Sequence, residues 1–250
     1  MPGFLLLRLE APLMSFGGPM VDNIGRTRSF PGQAQITGLL GNALGYRHAD
    51  ADLLERLQTR LRMATALARP GEVLRDYHTV DLGRPHLVDT GWTTRGVPEA
   101  RGGASSDTTH IRYRWYLADA LVVVALALDP ANEEPTLATL AAALRYPARP
   151  LFIGRKTCLP AAPILLGEGE TEATSAAAAL QGAMRSLSLA KAGRVAVEMD
   201  ERLATAADAP DETERLIDRR DWRNQMHTGA RAVRRFQIRH EPPPPEGGSQ

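Results

Sequence analysis

The fold is decided by residues 111–128, which read IRYRWYLADALVVVALAL. Residues 111–117 alternate, since one face carries isoleucine, tyrosine, tryptophan and leucine and the other carries two arginines and a tyrosine. This period of two is typical of a strand. Residues 120–128 are continuously apolar and rich in valine, as in a central strand that is covered on both faces. The segment therefore predicts two successive strands, the second in the middle of a sheet.

Further strands and helices are predicted on both sides of this segment. The strands cover residues 4–10, 60–68, 73–80 and 151–154, and the helices cover residues 33–46, 50–57 and 135–144. Because strand–helix–strand occurs twice, we predict an α+β fold with a ferredoxin-like (RRM-like) βαββαβ core. The polar segment 81–110 is too long for an ordinary loop and is predicted to be an inserted β-hairpin.

Three parts are expected along the chain. Residues 1–166 form the ferredoxin-like core with its hairpin, 167–240 a less regular, partly β C-terminal extension, and 241–250 a disordered tail. The tail reads EPPPPEGGSQ and has no side chains to bury. Within the extension, residues 167–179 are predicted to be a flexible linker and residues 176–192 a helix.

Composition narrows the class of protein. The chain has 250 residues, of which 43% are hydrophobic and 24% charged, as in soluble globular proteins. Its single cysteine, Cys158, excludes an internal disulfide and a cysteine-based zinc site and suits a reducing compartment. The apolar run at residues 4–7 is too short for a signal peptide, and no run reaches the roughly 18 residues of a membrane helix. We expect a cytoplasmic protein without a cofactor, a metal or a membrane partner.

Charge is distributed unevenly although the net charge is only +1. Residues 215–240 hold eight arginines against two aspartates, whereas residues 168–212 are acidic. Arginine suits bidentate recognition of phosphate, but a GC-rich genome gives the same bias. A second cationic feature lies at residues 149–158, RPLFIGRKTC, where Gly154 precedes Arg155 and Lys156. Glycine allows a close approach of the backbone, and the two cations can hold a phosphate or simply be solvated.

Four segments carry a resemblance to a known family. They are residues 7–17 (LRLEAPLMSFG), 26–45 with Phe30-Pro31 before a GLLG helix, 74–80 (LRDYHTV), and 116–120 together with LFIGRKTC at 151–158. Over residues 4–240 the chain resembles the CasD family, the Cascade subunits of type I-E CRISPR systems. It departs from the family at residues 32–35, where GQAQ replaces a small residue, a cation and a serine.

The resemblance implies a non-catalytic RNA-binding subunit. Such a subunit caps the 5′ handle of the CRISPR RNA and contacts the backbone subunit CasC and the large subunit CasA, while CasE makes the cut that frees the guide. Target DNA is reached indirectly, through the complex. The hairpin at 81–110 corresponds to the family's thumb, with Trp92 and Arg95 as its candidate residues.

Single-stranded RNA is held by cations on its phosphates and by planar groups against its bases. Arg26 and Arg28 lie in a loop that can wrap the strand, and Gln33 offers a neutral donor at a helix start. Each of these positions is also compatible with a solvated surface. The full set of predicted RNA-binding residues is Arg26, Arg28, Gln33, His78, Arg112, Arg114, Tyr116, Arg155 and Lys156.

Two alternatives stay open. His78 can act as a general base on a ribose 2′-hydroxyl, with Asp76 on the same strand face to orient it, which would make the chain a metal-independent endoribonuclease that processes precursor CRISPR RNA. The relatives in type I-C systems are nucleases of this kind. The chain can also be a ferredoxin-like interaction protein that does not contact RNA.

Overall fold

The computed structural model describes residues 2–18, 20–21, 23–81, 91–92, 98–99, 109–187, 189 and 193–240. The helices in these ranges are α1 (Gln33–Leu44), α2 (Ala51–Arg60), α3 (Leu137–Arg145), α4 (Ala176–Ser186) and one 3-10 turn (Glu201–Leu203). The strands are β1 (Gly3–Glu10), β2 (Leu13–Met14), β3 (Met20–Val21), β4 (Ile24–Gly25), β5 (Leu61–Arg69), β6 (Glu72–Asp81), β7 (Gly91–Trp92), β8 (Pro98–Glu99), β9 (Thr109–Ala118), β10 (Leu121–Leu128), β11 (Leu165–Glu172), β12 (Gly193–Asp200), β13 (Glu212–Asp221) and β14 (Met226–His240).

The main sheet has seven strands in the order β11-β1-β10-β5-β12-β14-β13, and every neighbouring pair is antiparallel. Its first four strands come from a βαββαβ sequence, with α1 and α2 between β1 and β5 and α3 between β10 and β11. If β1, β5, β10 and β11 are numbered 1 to 4 along the chain, these strands lie side by side in the order 4-1-3-2. The predicted α+β fold is confirmed, and this strand order is the ferredoxin-like one.

The sheet is covered on both faces because its central strands are apolar on both faces. Leu5, Leu7 and Leu9 of β1 are completely buried in the core that α1 and α3 share with the sheet. Phe4 and Leu6 point the other way, into a second core that α4 closes. The continuously apolar strand β10 contributes to both cores, as its sequence predicts.

A second sheet is built on β9. Strand β6 pairs with β9 along its whole length, from Glu72 opposite Ala118 to Asp81 opposite Thr109. The other edge of β9 pairs with β2 and, in parallel, with β4. Beyond the β6–β9 ladder, β7 pairs with β8. Most of the predicted thumb, Arg95 and the Trp92 side chain included, lies outside the described residues, so the thumb stays a prediction.

Two predictions in the C-terminal half are wrong. Residues 151–154 form a turn and not a strand, with Gly154 at φ +95°. Residues 167–179 are not a linker, because β11 continues to Glu172 and α4 begins at Ala176. β11 reads LLGEGETE and is mostly exposed, since it is the edge strand beside β1 and needs few apolar side chains. It runs across the predicted boundary at residue 166, and strands β12–β14 continue the same sheet.

Candidate nucleic-acid interface

A groove of about 1000 Å³ lies between the edge of the main sheet and the second sheet. One wall is β13 with the start of α1, and the other is formed by the loops at 15–18 and 25–28, strand β9 and the turn at Gly154. Six arginines line this groove, and four of them were predicted from the sequence. They are Arg26, Arg28, Arg114 and Arg155, joined by Arg215 and Arg220 from β13.

Two limbs of one loop place Arg26 and Arg28 in the groove. The backbone N–H of Arg28 donates to the carbonyl of Gly17 at 3.1 Å, and the N–H of Phe16 donates to Oγ1 of Thr27 at 2.9 Å. These bonds hold the limbs side by side. The Arg26 side chain is exposed, as a residue that meets a phosphate must be.

The turn at Gly154 requires glycine. Its φ of +95° is in the left-handed region, and a Cβ at this position would lie 1.7 Å from the carbonyl oxygen of Ser15. The close contact brings the next residue, Arg155, to the second sheet. Arg155 donates from Nη1 to the carbonyl of Trp115 at 3.2 Å and from Nη2 to the carbonyl of Gly25 at 3.1 Å. It therefore joins β9 to β4 and also lines the groove.

Tyr116 was predicted as a surface for bases, and the structure corrects this. Tyr116 is only 5% exposed, so a base cannot reach its ring, and the guanidinium of Arg155 lies 4.4 Å from the ring centroid. The alternation that was predicted for β9 is correct, but the groove side of Tyr116 is already covered. Arg114 is on the same face of the strand and does line the groove.

Gln33 is also not available to RNA. It is 1% exposed, and its side-chain amide donates to the carbonyls of Gln58 and Leu61 at 3.0 and 2.9 Å. Its backbone N–H donates to Oδ2 of Asp218 at 2.9 Å. A carboxylate of β13 thus already occupies the N-terminus of α1, where the sequence predicted a phosphate contact.

The two carboxylates that line the groove, Glu214 and Asp218, are each paired with an arginine. Asp218 accepts from Nε and Nη2 of Arg231 at 3.0 and 2.9 Å, and Glu214 lies 2.7 Å from Nη1 of Arg235. Arg231 and Arg235 do not line the groove, so the two groove carboxylates are paired with arginines from outside it.

The buried ion network also contains Glu198, which bonds to both Arg231 and Arg235. Burial raises the pKa of Glu198, although the two guanidinium groups partly oppose this shift. The network fastens β13 to β14 and β12, and Asp218 joins it to α1. It therefore fixes the wall of the groove that carries Arg215 and Arg220.

Arg215, Arg220 and His227 are groove residues that the sequence analysis missed. The available signal was the excess of arginine in residues 215–240. This arginine excess does not reveal that β13 pairs at the edge of the main sheet, and only that pairing brings the segment next to α1.

The remaining predicted residues do not line the groove. Nε2 of His78 lies 2.7 Å from Oδ2 of Asp76, and both side chains are about half exposed on the β6–β9 ladder. Arg112 is directly opposite His78 in this ladder. Lys156 is exposed beside Arg155. Four of the nine predicted residues thus line the groove, and His78, Arg112 and Lys156 lie outside its lining.

The described residues contain no cluster of three or more His, Cys, Asp or Glu side chains that would hold a metal ion. Within the same part of the chain, no helix has the length and apolar character needed to cross a lipid bilayer.

The chain is similar to known CRISPR-associated proteins. A family model described as CRISPR-associated protein (Cas_Cas5) matches residues 4–234. The CRISPR system Cascade subunit CasD of Escherichia coli (strain K12) is 30% identical over 178 residues, which are 67% of this chain and 71% of that protein.

Solved structures share the fold. A chain of a CRISPR RNA-guided surveillance complex superposes with a TM-score of 0.68 at 24% identity, over 95% of this chain and 90% of that chain. A second structure, described as a crystal structure of a Cas protein, has a TM-score of 0.56 at 22% identity, over 95% of this chain and 94% of that chain.

Proposed function

Because the chain belongs to the Cas5 family of CRISPR-associated proteins, we propose that it is a non-catalytic subunit of a Cascade surveillance complex. In this role its arginine groove binds the single-stranded 5′ handle of the CRISPR RNA. The complex then recognises invading DNA through the guide, and this subunit reaches that DNA only indirectly.

One observation carries the proposal: six arginines from distant parts of the chain line one groove whose two carboxylates are paired with other arginines. A guanidinium presents a planar fork of N–H donors that matches the oxygens of a phosphate. Several such groups along a groove suit a chain of phosphates better than a single small anion. The geometry therefore favours a polyanionic strand as the ligand.

A salt titration tests the groove. The double variant Arg28→Ala and Arg215→Ala removes one cation from each wall. Each lost phosphate contact on a single strand should lower the slope of log affinity against log salt by about 0.7, so the double variant should lose about 1.4. Arg223→Ala is the matched control, because Arg223 is 73% exposed, pairs with Asp52 and does not line the groove. An unchanged slope in the double variant would exclude the groove as the RNA site.

We further propose CasC and CasA as the neighbours of this subunit, with the thumb at 81–110 contributing to assembly. The β6–β9 ladder is complete without the tip of this segment, so deleting residues 84–104 should leave the core folded. The yield of co-purified Cascade should fall. An unaltered yield, with unaltered circular dichroism, would remove the thumb from assembly.

The contact between His78 and Asp76 supports a second candidate function, metal-independent cleavage of precursor CRISPR RNA. A carboxylate that orients a histidine is the arrangement that a general base needs. Incubation of the full chain with repeat RNA in chelator separates the two functions. Cleavage that His78→Ala abolishes would establish the nuclease, and intact RNA would establish the non-catalytic subunit.

A further inference from the structure

An aromatic row lies on the β6–β9 ladder, on the face opposite to Arg114. It consists of Tyr77, Tyr113 and Trp115. Tyr77 and Tyr113 are cross-strand partners with ring centroids 5.7 Å apart in an edge-to-face arrangement. The centroid of Trp115 is 6.3 Å from that of Tyr113. Trp115 and Tyr113 therefore follow one another along β9, and Tyr77 of β6 lies across the ladder from Tyr113.

Arginine side chains lie over this row. The guanidinium carbon of Arg75 is 5.4 Å from the centroid of Tyr113, and that of Arg26 is 5.5 Å from the centroid of Trp115. Arg75 is the cross-strand partner of Trp115, so it belongs to the same face. Arg26 also lines the groove and thus connects the groove with the row around the edge of β4.

The face of the row is open to solvent at Tyr77, whereas Tyr113 and Trp115 are half-buried. Tyr77 is 54% exposed, and its neighbours on this face, Val73 and Ile111, are exposed as well. Because side chains alternate between the two faces of a strand, the odd-numbered residues of β6 and β9 lie on the face of the aromatic row. Between residues 72–79 and 111–118, that face contains no carboxylate, whereas Glu72 and Asp76 lie on the other face.

We propose that the aromatic row is a second nucleic-acid site, a stacking platform for unpaired nucleotides outside the arginine groove. Bases stack on rings or on guanidinium planes of a sheet surface, and neighbouring arginines neutralise the phosphates between them. Tyr77 offers the open ring for a base, and Arg75 over the adjacent Tyr113 offers a cation for the neighbouring phosphate. The site goes beyond the proposed groove function, since it is on the opposite face of the second sheet. Its ligand is a single strand of RNA or DNA.

Rings and arginines without carboxylates favour nucleotides over a protein partner. The face has two arginines over its rings and no carboxylate among residues 72–79 and 111–118, so its charge suits a polyanion better than a neutral protein surface. Stacking, in contrast, uses both the π faces and the guanidinium groups. The two occupants also differ in what they require at position 77: a protein contact needs apolar area, and a base needs an aromatic ring.

Substitutions at Tyr77 test the platform in the full-length chain, because this exposed residue can be changed without opening a core. Affinity for labelled single-stranded RNA and DNA oligonucleotides of mixed sequence is measured by fluorescence anisotropy. Tyr77→Ala and Tyr77→Leu should weaken binding about tenfold, while Tyr77→Phe should preserve it. The salt dependence should not change. Val73→Ala, on the same face and 67% exposed, is the control and should leave affinity unchanged.

The same substitutions are repeated in the Arg28→Ala, Arg215→Ala background to separate the row from the groove. An equal fold-change in both backgrounds supports two distinct sites, and a loss confined to RNA or to DNA supports the platform and identifies its strand. The proposal is overturned if Tyr77→Ala has no effect, if Tyr77→Leu retains full affinity, or if the unaltered chain binds neither oligonucleotide. It is also overturned if only co-purification with other Cascade subunits falls, since the face is then a protein interface.

Discussion

Replacing Gly154 with alanine should destabilise the protein far more than the same replacement at Gly167. Both glycines have left-handed backbone, with φ of +95° at Gly154 and +84° at Gly167. A Cβ at Gly167 would have nothing within 4 Å, whereas a Cβ at Gly154 would lie 1.7 Å from the carbonyl oxygen of Ser15. The pair therefore separates the conformational effect from the steric one.

The expected magnitudes follow from these contacts. An alanine in left-handed backbone costs about 1–2 kcal/mol, and the smaller entropy of the unfolded chain offsets about 0.4–1 kcal/mol of this. Gly167→Ala should therefore lower the free energy of unfolding by about 1 kcal/mol or less. Gly154→Ala adds a displacement of packed backbone, about 1–3 kcal/mol. It also weakens two bonds of Ser15, from its N–H to Ile153 and from Gln35 to its carbonyl, each worth about 1 kcal/mol. The total is about 3–6 kcal/mol.

Urea denaturation followed by circular dichroism measures the difference. The slope of the unfolding free energy against urea concentration should be the same in the unaltered protein, Gly154→Ala and Gly167→Ala, so that their unfolding midpoints can be compared directly. The reasoning is refuted if the two variants differ by less than about 0.5 kcal/mol, the scale of an ordinary surface change. Because the Ser15 loop forms one wall of the groove, Gly154→Ala should also weaken RNA binding at temperatures where it is still folded.

Three further predictions concern buried charges. Asp218→Ala leaves Arg231 buried without its main partner and should lower the free energy of unfolding by about 3–5 kcal/mol in urea titrations. Burial raises the pKa of Glu10, but hydrogen bonds from two arginines outweigh this, so its pKa is below the ordinary 4.5. Its ionised form thus stabilises the fold above pH 4.5, and this contribution is lost as the pH falls through the lowered pKa. Glu10→Gln should therefore cost about 1–2 kcal/mol at neutral pH and progressively less in acid, which urea unfolding at a series of pH values checks. Arg60 is fully buried and donates to carbonyls of the 130–135 loop, so Arg60→Lys should cost about 2–4 kcal/mol, whereas Arg56→Lys at an exposed salt bridge should cause no measurable change in the same thermal and urea assays.

The strands and helices of the core were predictable because their patterns are local. Leu5, Leu7 and Leu9 repeat with a period of two, and the valine run of β10 is apolar on both faces, so each segment specifies its own structure. β11 escaped prediction for the converse reason. An edge strand with one exposed side carries glycines and glutamates, and only its pairing with β1 makes it a strand.

The candidate site was predictable only in part. Arg26, Arg28 and Arg155 were predicted as cations in segments that resemble the family, and Arg114 as a cation on the polar side of a predicted strand. The structure brings all four to the groove. Gln33 had the right position in the chain but is buried, because its amide is needed by two carbonyls of the α2–β5 junction. The sequence pattern predicts which face of a helix or strand carries a side chain, but it does not predict whether another part of the protein covers that face.

By itself the sequence determined the composition of the core, the faces of its central strands and the presence of a cation-rich C-terminal segment. Only the tertiary structure decided which cations share a groove. Arg215 and Arg28 lie on opposite walls although they are far apart in the chain, and this proximity depends on β13 pairing at the outer edge of a seven-stranded sheet. The physical reason is that hydrophobic periodicity shows which side of a single helix or strand is buried. A groove, in contrast, is formed by contacts between segments that are distant in the chain, and no local pattern predicts those contacts.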